Sequence, residues 1–135
     1  MRACVLDTSA LLAVLYEEVG GARVEALLAD GHCLIGAVNL AEFATKCADA
    51  GMDRAQIESI AQSFDAQIVP MDANLAYLAG LLRPATRALG LSLGDRACLA
   101  LAQSLGASAV TADRPWAEVG AALGIEIECI RPDRH

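Results

Sequence analysis

Four carboxylates stand along this chain where chemistry is possible: Asp7, Glu42, Asp95 and Asp113, separated by 35, 53 and 18 residues. Asp7 directly follows the apolar run Ala3–Leu6, and Asp113 lies two residues beyond Thr111, at the end of a later apolar run. Glu42 is expected in the first turn of the helix after the run Cys33–Ala37, and Asp95 at the opening of the apolar stretch Leu93–Leu105. Each acid also has a plain structural reading. Asp7 can cap a helix that begins near Ser9. Asn39-Leu-Ala-Glu42 and Ser92-Leu-Gly-Asp95 both have the form of a capping box. Asp113-Arg114-Pro115 can be a turn before a helix. Capping alone does not explain why the acids fall at ends that face the same way. Gathered together, four carboxylates repel and raise one another's pKa. A hard divalent cation such as Mg²⁺ or Mn²⁺, which prefers oxygen ligands, resolves that conflict.

The elements that must position these acids follow from the apolar pattern. Strands are expected at residues 2–6, Cys33–Ala37, Gln67–Val69, Ala107–Thr111 and Ile125–Ile130. Between them fall helical stretches from Ser9 to Tyr16, 22–29, 40–50, 53–64, Asp72 to Leu89, Leu93 to Leu105 and Trp116 to Leu123. Pro84 must kink or restart the fifth of these helices. Short apolar strands alternating with helices imply right-handed crossovers and a parallel sheet covered on both faces. The expected fold is α/β: a three-layer α/β/α sandwich around a central, mainly parallel sheet of about five strands. In such a sheet, ligands bind outside the carboxyl ends of the strands. Asp7, Glu42 and Asp113 are placed at that edge by chain order, and Asp95 joins them if its helix starts there.

Other chemistries find less support. The five cysteines are widely and irregularly spaced, with no Cys-x-x-Cys pair, so a zinc site is not expected. Only His32 and His135 could serve a nucleophilic serine or cysteine, and His32 merely opens an apolar run. A Gly-x-x-x-x-Gly-Lys-[Ser/Thr] loop is missing, and no Gly-x-Gly-x-x-Gly follows the first strand. A haloacid-dehalogenase-like phosphatase needs a second Asp at position 9, which is Ser, and a receiver domain needs a late lysine, whereas the only lysine is Lys46.

The 135 residues suit one compact domain spanning 1–135. Hydrophobic residues are 56% of the chain and aromatics 4%, a mixture for helices layered on a buried sheet. Apolar runs fall short of a membrane span, the first residues lack the form of a secretory signal, and a cytoplasmic location is expected. Net charge is −7, and setting four metal-bound carboxylates aside still leaves −3. Contact with a nucleic acid must then rest on a local group such as Arg83, Arg87, Arg96 and Arg114.

Val5-Leu-Asp7-Thr-Ser-Ala-Leu-Leu-Ala resembles the opening strand and turn of PIN domains, and Asn39-Leu-Ala-Glu42 their second acidic motif. Ser92-Leu-Gly-Asp95-Arg-Ala-Cys-Leu-Ala-Leu-Ala is similar to the third, and Thr111-Ala-Asp113-Arg-Pro-Trp116 to the fourth. Four motifs in the family's order make a specific signal, and the nearest likeness is to the VapC-like toxin nucleases of bacterial type II toxin–antitoxin pairs. The resemblance implies that Asp7, Glu42, Asp95 and Asp113 are the catalytic, metal-binding acids, with Ser9 and Thr111 helping to hold the Mg²⁺ or Mn²⁺ or its waters. It implies an endoribonuclease leaving 5′-phosphate and 3′-hydroxyl ends, in which metal-activated water attacks an RNA phosphodiester in line. It also implies a homodimer and a small antitoxin whose tail fills the active-site groove. Arg96 and Arg114, each beside a site acid, are candidates for holding substrate phosphates. The rival reading is a catalytically silent module of the same fold that dimerises and receives a partner peptide.

Overall fold

The computed structural model describes residues 2–131; Met1 and residues 132–135, His135 among them, lie outside that range. The chain begins with strand β1 (Cys4–Leu6), then helices α1 (Thr8–Leu15) and α2 (Gly21–Ala29). Strand β2 (Cys33–Gly36) leads into α3 (Ala37–Asp49) and α4 (Arg54–Ser63), and strand β3 (Gln67–Val69) into α5 (Ala73–Leu81) and the short α6 (Arg83–Thr86). Helix α7 (Leu93–Leu105), strand β4 (Ser108–Thr111), helix α8 (Trp116–Leu123) and strand β5 (Ile127–Cys129) complete the described chain. The helix expected over Asp72–Leu89 is broken as Pro84 required. It stops at Leu81, restarts as α6 with Pro84 in its first turn, and tightens to a 3₁₀ turn at Arg87–Leu89.

All strand pairs are parallel, in the order β3-β2-β1-β4-β5. The chain builds outward from β1 through β2 to β3, then returns to the other side of β1 for β4 and β5. The strand order therefore reverses at β1, and the crevice for a ligand lies at the carboxyl ends of β1 and β4.

Alternation along the strands divides the core into two layers. Cys4, Leu6, Cys33, Ile35 and Val110 face α1, α2 and α3, packing with Leu11, Val24, Phe43 and Phe64. Val5 and Ala109 face the opposite side, against Leu99 and its neighbours on α7 and Trp116 of α8. This is the three-layer α/β/α sandwich. The thiols of Cys4 and Cys33, directly paired across β1 and β2, lie 3.2 Å apart as free cysteines. Among the described residues no helix is long and apolar enough to cross a membrane.

Phe43 is fully buried and meets Phe64 edge-to-face, with ring centroids 5.5 Å apart at 71°. Replacing so large a core side chain leaves a cavity beneath α3. Phe43→Ala is therefore expected to lower stability by about 3–5 kcal/mol in urea unfolding monitored by circular dichroism. A loss below about 1 kcal/mol would show that this layer does not depend on the pair.

Candidate active site

Asp7 is the first residue past β1, and it is only 3% exposed. Its Oδ1 accepts from the Ser9 hydroxyl at 2.7 Å and from the Ala10 amide at 2.8 Å, so it does cap α1. Its Oδ2 accepts from the Thr111 hydroxyl at 2.6 Å. Those two hydroxyls are in turn held by the loop after β4: Ala112 N–H donates to Ser9 Oγ at 2.8 Å, and Asp113 N–H to Thr111 Oγ1 at 3.0 Å. The carboxylate thus sits in a bracket whose two sides come from chain ends 104 residues apart.

Burial pushes the Asp7 carboxyl up, from the ordinary 3.8 to about 6, against the pull of its Thr111, Ser9 and Ala10 hydrogen bonds, and the Asp95 charge adds to the rise. Its hydrogen-bond donors among the described residues, Ser9, Ala10 and Thr111, are all neutral. A buried anion held by neutral donors and facing another acid is costly to keep charged.

Glu42 reaches the same region by a route that differs from the sequence expectation. Helix α3 begins at Ala37, with Gly36 as its capping residue and no side-chain cap, so Asn39 does not form a capping box. Glu42 lies in the second turn of α3, not the first. The apolar run continues unbroken from β2 into α3, which hid the boundary from a reading based on hydrophobicity. Asn39 is instead 1% exposed and bridges elements. Its Nδ2 lies within hydrogen-bond distance of Gly94 O (3.2 Å), Glu42 Oε1 (3.3 Å) and Thr8 Oγ1 (3.3 Å). The Thr8 hydroxyl donates to Glu42 Oε1 at 2.7 Å.

Gly94, in the first turn of α7, completes the seat. A Cβ there would overlap the Glu42 carboxylate, so only glycine lets this acid settle against the helix start. Neither Thr8 nor Gly94 was singled out from sequence, although each adjoins a motif acid.

Asp95 forms the expected capping box: its Oδ2 accepts from Ser92 N–H at 2.8 Å, while Asp95 N–H donates to Ser92 Oγ. Its charge also raises both Asp7 and Asp113. Asp113 is raised by burial first and by Asp95 second, with the Trp116 indole and Arg131 opposing. The Trp116 N–H is buried without a well-formed hydrogen bond, so its pull on Asp113 is one of proximity. The fully buried Cys98 thiol of α7 is pushed up by burial and by the charges of Asp7, Asp95 and Glu42. Even so, among the described residues no three acidic, histidine or cysteine side chains close on one point to hold an ion. The donor set itself is hard oxygen throughout, and together with the buried charge of Asp7 it fits a hard divalent cation.

The two arginines part company. Arg96 donates from Nη1 to the Ala79 carbonyl at 3.0 Å, in the last turn of α5, where the helix dipole favours a cation. Arg114 lines a cleft of about 260 Å³ beside Asp113, shared with Ser9, Ala112, Pro115 and Arg131. Arg131 was not identified from sequence.

The raised pKa of Asp7 carries a signed consequence. Between about pH 4 and pH 6 the folded protein binds this proton more tightly than the unfolded chain, so stability falls as pH rises through that window. The full deficit, on the order of 3 kcal/mol, is present above pH 6 in metal-free protein. In EDTA, Asp7→Asn is expected to melt above the wild type at pH 8, with the gap closing towards pH 4. A gap of the same size at both pH values would mean that the carboxylate's charge is not the cause.

Comparison with known proteins places this arrangement in a family. Residues 4–122 match the family model described as the PIN domain. A sequence search of curated proteins finds no match. Among solved structures, the chain is similar to a toxin–antitoxin complex from Klebsiella pneumoniae (16% identity, covering 97% of this chain and 100% of that one, TM-score 0.73). It is similar to VapBC2 from Rickettsia felis bound to a promoter DNA fragment (18% identity, 96% and 99% coverage, TM-score 0.69). DNA-bound VapBC from Salmonella typhimurium is a third (19% identity, 97% and 100% coverage, TM-score 0.69). At these identities the structural likeness concerns the fold, while the family model spans most of the chain. The chain belongs to the PIN domain family.

Proposed function

We propose that this PIN domain is a metal-dependent endoribonuclease and the toxin of a type II toxin–antitoxin pair. The observation that carries the reading is Asp7, a buried carboxylate held by neutral donors and bracketed by two hydroxyls at the point where the strand order reverses. Asp7, Glu42, Asp95 and Asp113 would hold Mg²⁺ or Mn²⁺, with Ser9 and Thr111 fixing the Asp7 oxygens. When bound, such an ion supplies a Lewis acid that activates water towards a phosphodiester and neutralises charge on the leaving oxygen. The chain's own part is positional. Ser9 and Thr111 fix both oxygens of Asp7, and Thr8 and Asn39 fix Glu42, so neither acid spends orientational freedom when substrate arrives. Water attack on phosphorus with departure of the 3′ oxygen leaves 5′-phosphate and 3′-hydroxyl ends. Ser9 and Thr111 act through Asp7 in this reading, and Arg96, tied to α5, is left out of substrate contact.

The similar solved structures are toxin–antitoxin complexes, which supports a small antitoxin as partner. A homodimer is supported by apolar surface on α5, where Tyr77 and Leu81 stand one turn apart and are 73% and 75% exposed. Leu81→Asp is expected to convert a dimer to a monomer in sedimentation velocity. A wild-type protein that sediments as a monomer at micromolar concentration would remove the dimer from the reading.

The test of activity is to induce the protein briefly in a bacterial host and map new 5′-phosphate RNA ends, with Asp7→Asn beside it. A few sharp ends that require the intact acid are expected. If the two proteins give the same ends, Mn²⁺ titration of purified protein decides the rest. A silent module would bind no Mn²⁺ through Asp7.

A further inference from the structure

We infer that Arg131, with Arg114, forms a seat for a phosphate of the RNA strand beside the bond that is cut. The inference rests on the nuclease reading above and names a subsite of the same centre. Ile130 N–H donates to the Thr111 carbonyl at 2.8 Å, so the chain leaving β5 runs alongside the chain leaving β4. That pairing brings Arg131 opposite Ala112 and Asp113, on the far wall of the cleft that Ser9 and Arg114 also line. Gly20 supports the arrangement. Its φ is +91°, and a Cβ there would collide with Ile130, the residue that carries Arg131 into place.

Five other arginines are held away from this cleft. Arg2 pairs with Glu126, Arg23 with Glu128 and Arg54 with Glu58. Arg83 and Arg96 donate to the carbonyls of Leu91 and Ala79. Arg114 and Arg131 share a cleft with a site acid, and Arg131 is exposed to an incoming ligand. A chain of net charge −7 that admits a polyanion to an acidic centre needs local cations there. A guanidinium fits this role because its planar fork matches two phosphate oxygens at once. Asp113 marks the metal side of the cleft and the two arginines its strand side.

The test measures binding of a short 5′-fluorescein-labelled random-sequence RNA by anisotropy, in Ca²⁺, across a salt series. Arg131→Gln is expected to weaken binding about tenfold and to flatten the slope of log affinity against log salt by about 0.7, the value for one lost single-strand contact. Arg131→Lys should keep the slope and recover part of the affinity. Arg54→Gln removes an equal charge at a distant ion pair and should change neither. Mn²⁺ titrations of Arg131→Gln should match the wild type, which separates the phosphate seat from the metal centre. Equal loss in the Arg131 and Arg54 variants, or no loss in either, overturns the proposal while leaving the nuclease reading intact. A wild-type protein that binds no RNA overturns both.

Discussion

Asp7 carries its charge in a place that water barely reaches, and most of the architecture around it follows from making that tolerable. One oxygen is taken up by the helix it caps and by Ser9, the other by Thr111 from the neighbouring strand. Both hydroxyls can donate to the acid because the loop after β4 donates to them in turn. Such a chain satisfies every member, which is the condition for a buried polar group to be stable. It does not neutralise the charge. The remaining electrostatic demand is what a divalent ion would meet, and the nearby charge of Asp95 adds to it.

The second acid is placed by a different device. Glu42 lies on a helix flank, where a long side chain has many rotamers, and its direction is set from outside. Thr8 donates to it, Asn39 braces it, and the bare Cα of Gly94 leaves the space it occupies. Asn39 also ties the carbonyl of Gly94 to α3, so the start of α7 and the Glu42 carboxylate are fixed by one side chain. Asp95, one residue further on, is anchored by Ser92. Rigid supports of this sort allow reactive groups to be aligned before a ligand arrives.

Much of this was legible in the sequence. The strand Gln67–Val69 and the helices 93–105 and 116–123 were read to their ends, because Pro70, Gly106 and Gly124 mark them chemically. The break at Pro84 followed from the missing amide of proline. The positions of Asp7 and Asp113 just past strand ends could be read because the apolar runs before them mark where β1 and β4 stop. What was hidden has a common cause. At Ala37 the chain passes from strand to helix with no polar punctuation, so Asn39 resembled a cap and Glu42 seemed one turn too early. Thr8, Gly94 and Arg131 act through neighbours distant in sequence, and no local pattern announces such contacts. Arg96 adjoins Asp95 in the chain, yet helix geometry turns it towards α5.

The register of the sheet has a consequence for how the protein comes into being. β1 is made first, yet it ends up in the middle, flanked by β2 on one side and by β4 on the other. The hydroxyl that grips one oxygen of Asp7 is Thr111, which leaves the ribosome 104 residues after the acid itself. Until that stretch has emerged and docked, β1 has an open edge and Asp7 has half of its bracket. A nascent chain holds the first acid long before the residues that complete its surroundings, so a shortened chain ending before β4 has Asp7 without Thr111 or Asp113.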